Sequence, residues 1–232
     1  MDQRLKIDEK IYLNETRKAD PKQCFVALGD ILEPLKETEI SSIDIGCATG
    51  ELTHYLTGRF PKWKFSGADV SANMINVAQE IVPSADFFVG SVTEPITGGV
   101  YDLITCVGVL TIFDEIDEPL NHLINATNSG GKIIIFGNFN PDPIDIRARV
   151  CRSGATHWSS GYNVWSKQTF EKIITKCPRV NGHKWTDFNM AKAIPKTDDP
   201  LRVWTVELDN EPHHQVRGSG QLVRQSFLEI IL

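Results

Sequence analysis

The sequence turns on a short glycine-rich stretch set between an apolar run and a helical one. Ser42-Ile43-Asp44-Ile45 comes first, then Gly46-Cys47-Ala48-Thr49-Gly50, then Glu51 to Gly58. The apolar run predicts a strand and the amphipathic stretch a helix, with only a tight turn between them. The same order returns downstream. Lys64 to Asp69 predicts a second strand, and Ala72 to Ile81 a second helix with Ser71 as its N-cap and Pro83 past its end. Asp86 to Val89 predicts a third strand. Tyr101 to Val107 predicts a fourth, apolar along its length as a buried parallel strand is. Ile116 to Thr127 is helical, Gly130-Gly131 breaks it, and Lys132 to Phe136 forms a fifth strand rich in β-branched residues. Strands alternating with helices imply a parallel sheet covered on both faces. Ligands of such sheets sit beyond the carboxyl ends of the strands.

The rest of the chain is arranged around that core, residues 40–137, within a single domain. Residues 1–38 predict helices broken at Pro21 and Pro34, an N-terminal lid. Residues 138–166, with Pro141, Pro143 and several Gly and Ser, predict an insertion over the sheet, helical around Ile144 to Val150. Residues 167–232 complete the sheet. Lys167 to Lys176 is a helix, Trp185 to Met190 and Arg202 to Leu208 are the two final strands, and Gln221 to Leu232 is a further one after the Gly218-Ser219-Gly220 turn.

The glycine loop reads Asp44-x-Gly46-x-Ala48-x-Gly50. Small residues let the chain turn sharply, so that a ligand meets bare backbone. A dinucleotide-binding loop would read G-x-G-x-x-G and seat a pyrophosphate at the helix N-terminus. This loop is one residue shorter before its last small residue, and Glu51 stands in the first helical turn, where a carboxylate repels pyrophosphate.

Ile43-Asp44-Ile45-Gly46-Cys47-Ala48-Thr49-Gly50 resembles the first motif of class I S-adenosylmethionine-dependent methyltransferases. Later features fit the resemblance in order. Asp69 ends the second strand, and Asp69, Ser71 and Met74 match the family's D-x-S-x-x-M pattern. Tyr101-Asp102-Leu103-Ile104 matches its fourth strand, and Gly130-Gly131-Lys132 the approach to its fifth. The resemblance implies a Rossmann-like α/β fold: a seven-stranded, mostly parallel sheet with helices on both faces and the last strand antiparallel. The N-terminal helices and a C-terminal strand are extra. It implies S-adenosyl-L-methionine as cofactor and S-adenosyl-L-homocysteine as product. The implied cofactor contacts are Asp44, Gly46, Cys47, Ala48 and Gly50 in the loop, Asp69 and Val70 for the ribose, and Met74 beside the adenine. Gly90, Ser91 and Val92 follow the third strand, with Ser91 where the family commonly has Asp. Cys106 and Val107 end the fourth strand, and Tyr12 and Arg17 lie on the lid, Arg17 facing the cofactor carboxylate.

Methyl transfer needs a positioned nucleophile and sometimes a base. The (D/N)-P-P-(Y/F) motif of many amino methyltransferases is missing after the fourth strand, where Cys106-Val107-Gly108-Val109-Leu110 stands. Asn140-Pro141-Asp142-Pro143 follows the fifth strand and reads as a turn. His157, Trp158, Tyr162 and Trp165 crowd the insertion, which makes His157 the first candidate for a proton acceptor and Tyr162 the second. The net charge of −6 disfavours broad nucleic-acid binding. The acceptor is therefore expected to be a small molecule carrying an O or N nucleophile. A protein or RNA acceptor, or a non-catalytic cofactor-binding subunit, is the alternative. No apolar run approaches the roughly 18 residues of a membrane span. The start, Met1 to Lys6, has no secretory pattern. Five scattered cysteines predict reduced thiols in a cytoplasmic protein, a monomer or homodimer. The adjacent His213-His214 does not make a metal site.

Overall fold

Among the described residues, the α-helices α1 (Gln3–Asn14) and α2 (Gln23–Leu32) precede the sheet. The computed structural model of the chain describes residues 3–14, 20–209 and 211–232. Strands and helices then alternate: β1 (Ser41–Ile45), α3 (Glu51–Arg59), β2 (Lys64–Asp69), α4 (Ala72–Ile81), β3 (Asp86–Val89), β4 (Tyr101–Val107), α5 (Asp117–Asn125) and β5 (Thr127–Asn140). There follow β6 (Arg149–Val150), β7 (Ser159–Ser160), β8 (Trp165–Ser166), α6 (Lys167–Ile174), β9 (Gly182–Phe188), β10 (Trp204–Leu208), β11 (Glu211–Val216), β12 (Leu222–Val223) and β13 (Gln225–Ile231).

The main sheet runs β3-β2-β1-β4-β5-β13-β9, with short β8 attached to the end of β5. Pairing is parallel from β3 to β5, and β13 lies antiparallel between β5 and β9. This is the Rossmann-like sheet expected, with its antiparallel strand one place in from the edge. The chain first winds outward from β1 to β3, then crosses back to β4 on β1's other side. The crevice beyond the carboxyl ends of β1 and β4 is the point where the winding reverses, and there such sheets bind ligands.

Strand periodicity divides the core. In β5, Ile133 and Ile135 face one side with Leu228 and Ile230 of β13, under Leu120 and Leu123 of α5 and Phe170 and Ile174 of α6. Ile134 and Phe136 face the other side with Phe227, under Phe25, Leu28 and Leu32 of α2 and Leu52 and Leu56 of α3. Successive side chains point to opposite faces, so a run of apolar residues means that both faces are covered. At the amino ends, Asp102 accepts hydrogen bonds from the Ser41 amide and hydroxyl and from Asn128, tying β1 to β4 and β5.

Three expectations need correction. The segment around Ile144 to Val150 is not helical: Ile146 bridges Val164, and β6 pairs with β7 in a small hairpin. Pro141 and Pro143 remove amide donors there, and the Ala148 amide bonds the Asn163 side chain instead of a helical carbonyl. Arg202 to Leu208 does not join the main sheet. Its strand, β10, folds onto β11, which pairs with β12, in a separate three-stranded sheet; Asp209 turns the chain with φ 51°. The sheet is completed instead by β9 and β13. The helix foreseen over Ile116 to Thr127 stops at Asn125, and β5 starts at Thr127.

Candidate functional site

The glycine loop between β1 and α3 places Gly46, Ala48 and Gly50 in left-handed backbone, with φ of 77°, 47° and 77°. The amides of Gly46 and Cys47 both donate to the Ala68 carbonyl of β2, at 2.7 and 3.1 Å. Glycine is required at 46, where a Cβ would lie 2.2 Å from Val109 Cγ2. Ala48 departs from the usual glycine and carries a cost of roughly 1–2 kcal/mol for its conformation. Its amide offsets that cost by donating to the Asp69 carboxylate at 3.0 Å.

Asp69 is the pivot. It ends β2 and is 7% exposed. One oxygen takes the Ala48 amide and the other takes the Ser71 amide at 2.9 Å. Burial raises its pKa, the two amides oppose the rise, and Glu9 nearby adds to it. Ser71 N-caps α4 by accepting from the Met74 amide, and its hydroxyl donates to Glu9 of α1 at 2.8 Å. Asn73 donates to the same Glu9 oxygen, also at 2.8 Å, and these two donors hold the Glu9 carboxyl below its usual range. The middle of α1 is thus bonded to the start of α4.

These groups open on a cavity of about 310 Å³ at the switch point. Of the residues singled out in the sequence, Tyr12, Gly46, Ala48, Asp69, Val70, Met74, Gly90, Ser91, Val92, Val107 and Tyr162 line it. Asp44, Cys47, Gly50 and Cys106 do not. Asp44 is buried beneath the loop and accepts from the Thr105 hydroxyl at 2.8 Å, and burial lifts its carboxyl to about 7. Cys47 turns into a packed cluster with Ile75, Ala78 and Phe87, and Cys106 into the sheet core; burial pushes both thiols up. Gly50 packs against Ala78. Arg17 lies outside the described residues.

His157 and Tyr162 part company. His157 sits in the exposed loop between β6 and β7, beside Trp158 at 64% exposure, and does not line the cavity. The hairpin that replaces the expected helix carries it outward. Tyr162 does line the cavity, in left-handed backbone with φ 64°. Arg217 lies over its ring at 4.6 Å. The Tyr12 ring, also in the lining, meets Lys22 at 4.7 Å and Arg202 at 5.0 Å.

Sequence reasoning missed Glu9, three residues before Tyr12 and so on the same helix face; Gly108, Val109, Ile112 and Phe113, from the segment after β4, also line the cavity. It also missed Arg202 and Arg217, whose distance along the chain from both tyrosines leaves no local signal. Ser91 does reach the cavity, but its hydroxyl already bonds Thr93. Glu51 is in the first turn of α3 as expected, yet it pairs with Lys22 at 3.1 Å, which weakens the repulsion argued from sequence. Asn140 to Pro143 forms the expected turn, with the Asp142 amide bonded to the Asn140 side chain.

Residues 43–133 match the family model described as "Methyltransferase domain". A malonyl-[acyl-carrier protein] O-methyltransferase of Ilyobacter polytropus is 32% identical over 101 residues, 41% of this chain and 38% of that protein. A trans-aconitate 2-methyltransferase of Afipia carboxidovorans is 34% identical over 107 residues, 46% of this chain and 42% of that one. The matches thus span about two fifths of the length of these relatives. Among solved structures, the YcgJ protein of Bacillus subtilis superposes with a TM-score of 0.58 at 13% identity, over 89% of this chain and 98% of that one, a likeness of fold.

Proposed function

From the premise that this chain belongs to the class I methyltransferase family, with its methyltransferase domain at residues 43–133, we propose that it transfers a methyl group from S-adenosylmethionine to a small-molecule acceptor. The observation that carries this reading is Asp69. The Ala48 and Ser71 amides bond one oxygen each, and lone pairs of such a carboxylate suit the two vicinal ribose hydroxyls. The neighbouring residues fit the rest of such a ligand. Met74 and Val92 offer apolar walls to a purine ring, and a Cβ at Gly108 would meet nothing within 4 Å, so the cavity reaches bare backbone there.

Bound S-adenosylmethionine supplies an electrophilic methyl on a sulfonium. The chain's own part is to hold the two reactants in line and to keep water out, which accounts for a large share of the barrier in such reactions. Glu9 and Asp69 give the cavity negative charge where a sulfonium is favoured. Tyr12, Tyr162 and Phe113, also in the lining, are left to meet the acceptor. Relatives named for malonyl-[acyl-carrier protein] and trans-aconitate support an acceptor of small acyl or acid type, and the net charge of −6 supports a metabolite over a nucleic acid. Among the described residues no helix is long and apolar enough to cross a membrane.

Calorimetric titration with S-adenosylhomocysteine tests this. Micromolar binding that Asp69→Ala abolishes is expected. An intact protein that binds no S-adenosylhomocysteine overturns the proposal.

A further inference from the structure

We propose that the paired hydroxyls of Ser91 and Thr93 meet the six-membered-ring edge of the cofactor's purine, and that this pair accepts a 6-oxo purine about as readily as a 6-amino one. The inference rests on the reading of the cavity as a methyl-transfer site and adds its selectivity for the base.

Ser91 and Thr93 both line the cavity, on either side of Val92. Their place is fixed by the sheet. Val89 of β3 lies opposite Asp69 of β2, and the Gly90 amide donates to the Asp69 carbonyl at 3.0 Å. The chain then closes a turn, in which the Glu94 amide donates to the Ser91 carbonyl at 3.2 Å. His122 Nδ1 donates to the Val92 carbonyl at 3.0 Å, and the Val92 side chain is buried. The turn is therefore held from three directions beside the acid that ends β2. A purine set against Val92, with its ribose at Asp69, turns a polar edge to these two hydroxyls.

Ser91 Oγ and Thr93 Oγ1 are 2.8 Å apart, and the Thr93 amide donates to Ser91 Oγ at 3.2 Å. A hydroxyl has one proton and two lone pairs. The bond between the two hydroxyls uses one of their two protons, in either direction. When Ser91 donates to Thr93, the Thr93 proton is left for a ligand, and each oxygen keeps a lone pair. When Thr93 donates to Ser91, the Ser91 proton is left, and Thr93 keeps both lone pairs. Counted over the described residues, either arrangement offers one donor and at least one acceptor. Passing between them takes only rotation of the two O–H bonds.

An adenine edge donates from its 6-amino group and accepts at N1; a 6-oxo purine accepts at position 6 and donates at N1. A pair that exchanges roles answers both patterns. A carboxylate only accepts, so it would favour the amino group and repel the oxo. The carboxylates among the described lining residues are Glu9 and Asp69, and neither comes from this turn. Glu94, the acid nearest to the pair in sequence, is exposed and outside the lining.

Calorimetric titration of the full chain with S-adenosylhomocysteine and with S-inosylhomocysteine, its 6-oxo counterpart, tests the proposal. The two affinities should agree within about threefold. Ser91→Asp should open the gap to about tenfold or more, chiefly by weakening S-inosylhomocysteine. Ser91→Ala with Thr93→Val should weaken both ligands to a similar extent, by about threefold or more, with melting temperatures near that of the unaltered protein. An unaltered protein that prefers S-adenosylhomocysteine by about tenfold or more overturns the proposal and leaves the methyl-transfer reading standing. So does a Ser91→Asp variant with an unchanged ratio, or a double variant that binds both ligands as before. Failure of the unaltered protein to bind S-adenosylhomocysteine removes both readings.

Discussion

Replacing Asp44 by Asn should make the protein more stable as the pH rises, and the size of the effect follows from burial. Asp44 lies under the glycine loop, with the Thr105 hydroxyl as its side-chain partner. Desolvation lifts its carboxyl from 3.8 to about 7; the Thr105 bond opposes the rise, Asp69 adds to it, and Lys22 lowers it. Between those two pH values the folded protein keeps a proton that the unfolded chain has lost. Stability from this group is therefore complete below about pH 4 and declines until about pH 7. A shift of about three pH units at 1.36 kcal/mol each is roughly 4 kcal/mol. Asn is nearly isosteric, still accepts from Thr105 and does not titrate. The stability difference between Asp44→Asn and wild type should then be near zero at pH 4 and reach several kcal/mol in the variant's favour by pH 8. Urea unfolding of both proteins across that range measures it, and taking the difference removes the titrations of groups that do not couple to Asp44. A difference that stays flat with pH refutes the argument that burial governs this carboxyl.

Gly46→Ala should cost roughly 2–4 kcal/mol, since it adds left-handed strain to a clash with Val109. Thermal melts of the single variant and of Gly46→Ala with Val109→Ala should show part of the loss recovered in the pair. Asn163→Ala, which strands the Ala148 amide and the Phe113 carbonyl, should cost about 2–4 kcal/mol in chemical unfolding and raise the KM for the acceptor more than that for S-adenosylmethionine. His157→Ala should leave turnover unchanged and stability within about 0.5 kcal/mol, because the side chain is exposed and outside the cavity; a large loss of turnover would return it to the mechanism.

The strand–loop–helix order, the spacing from Asp44 to Gly50 and the acid at Asp69 were legible in the sequence because each is a local requirement. A parallel strand buried on both faces must be apolar throughout, and a left-handed turn must be built of small residues. A carboxylate two residues before the N-cap Ser71 falls where two amides meet it. These constraints act within a few residues, so the order of residues by itself determined the core sheet and the glycine-loop side of the cavity. Tertiary structure alone decided the remainder. Whether Trp204 to Leu208 joins the main sheet depends on which edge competes for its hydrogen bonds, and β11 competes locally while β13 fills the place beside β5. Whether His157 or Tyr162 lines the cavity depends on a hairpin set by one buried asparagine. Arg202 and Arg217 come from parts of the chain far from the Tyr12 and Tyr162 rings they face. No periodicity records such contacts, because burial and charge join residues there that the chain keeps apart.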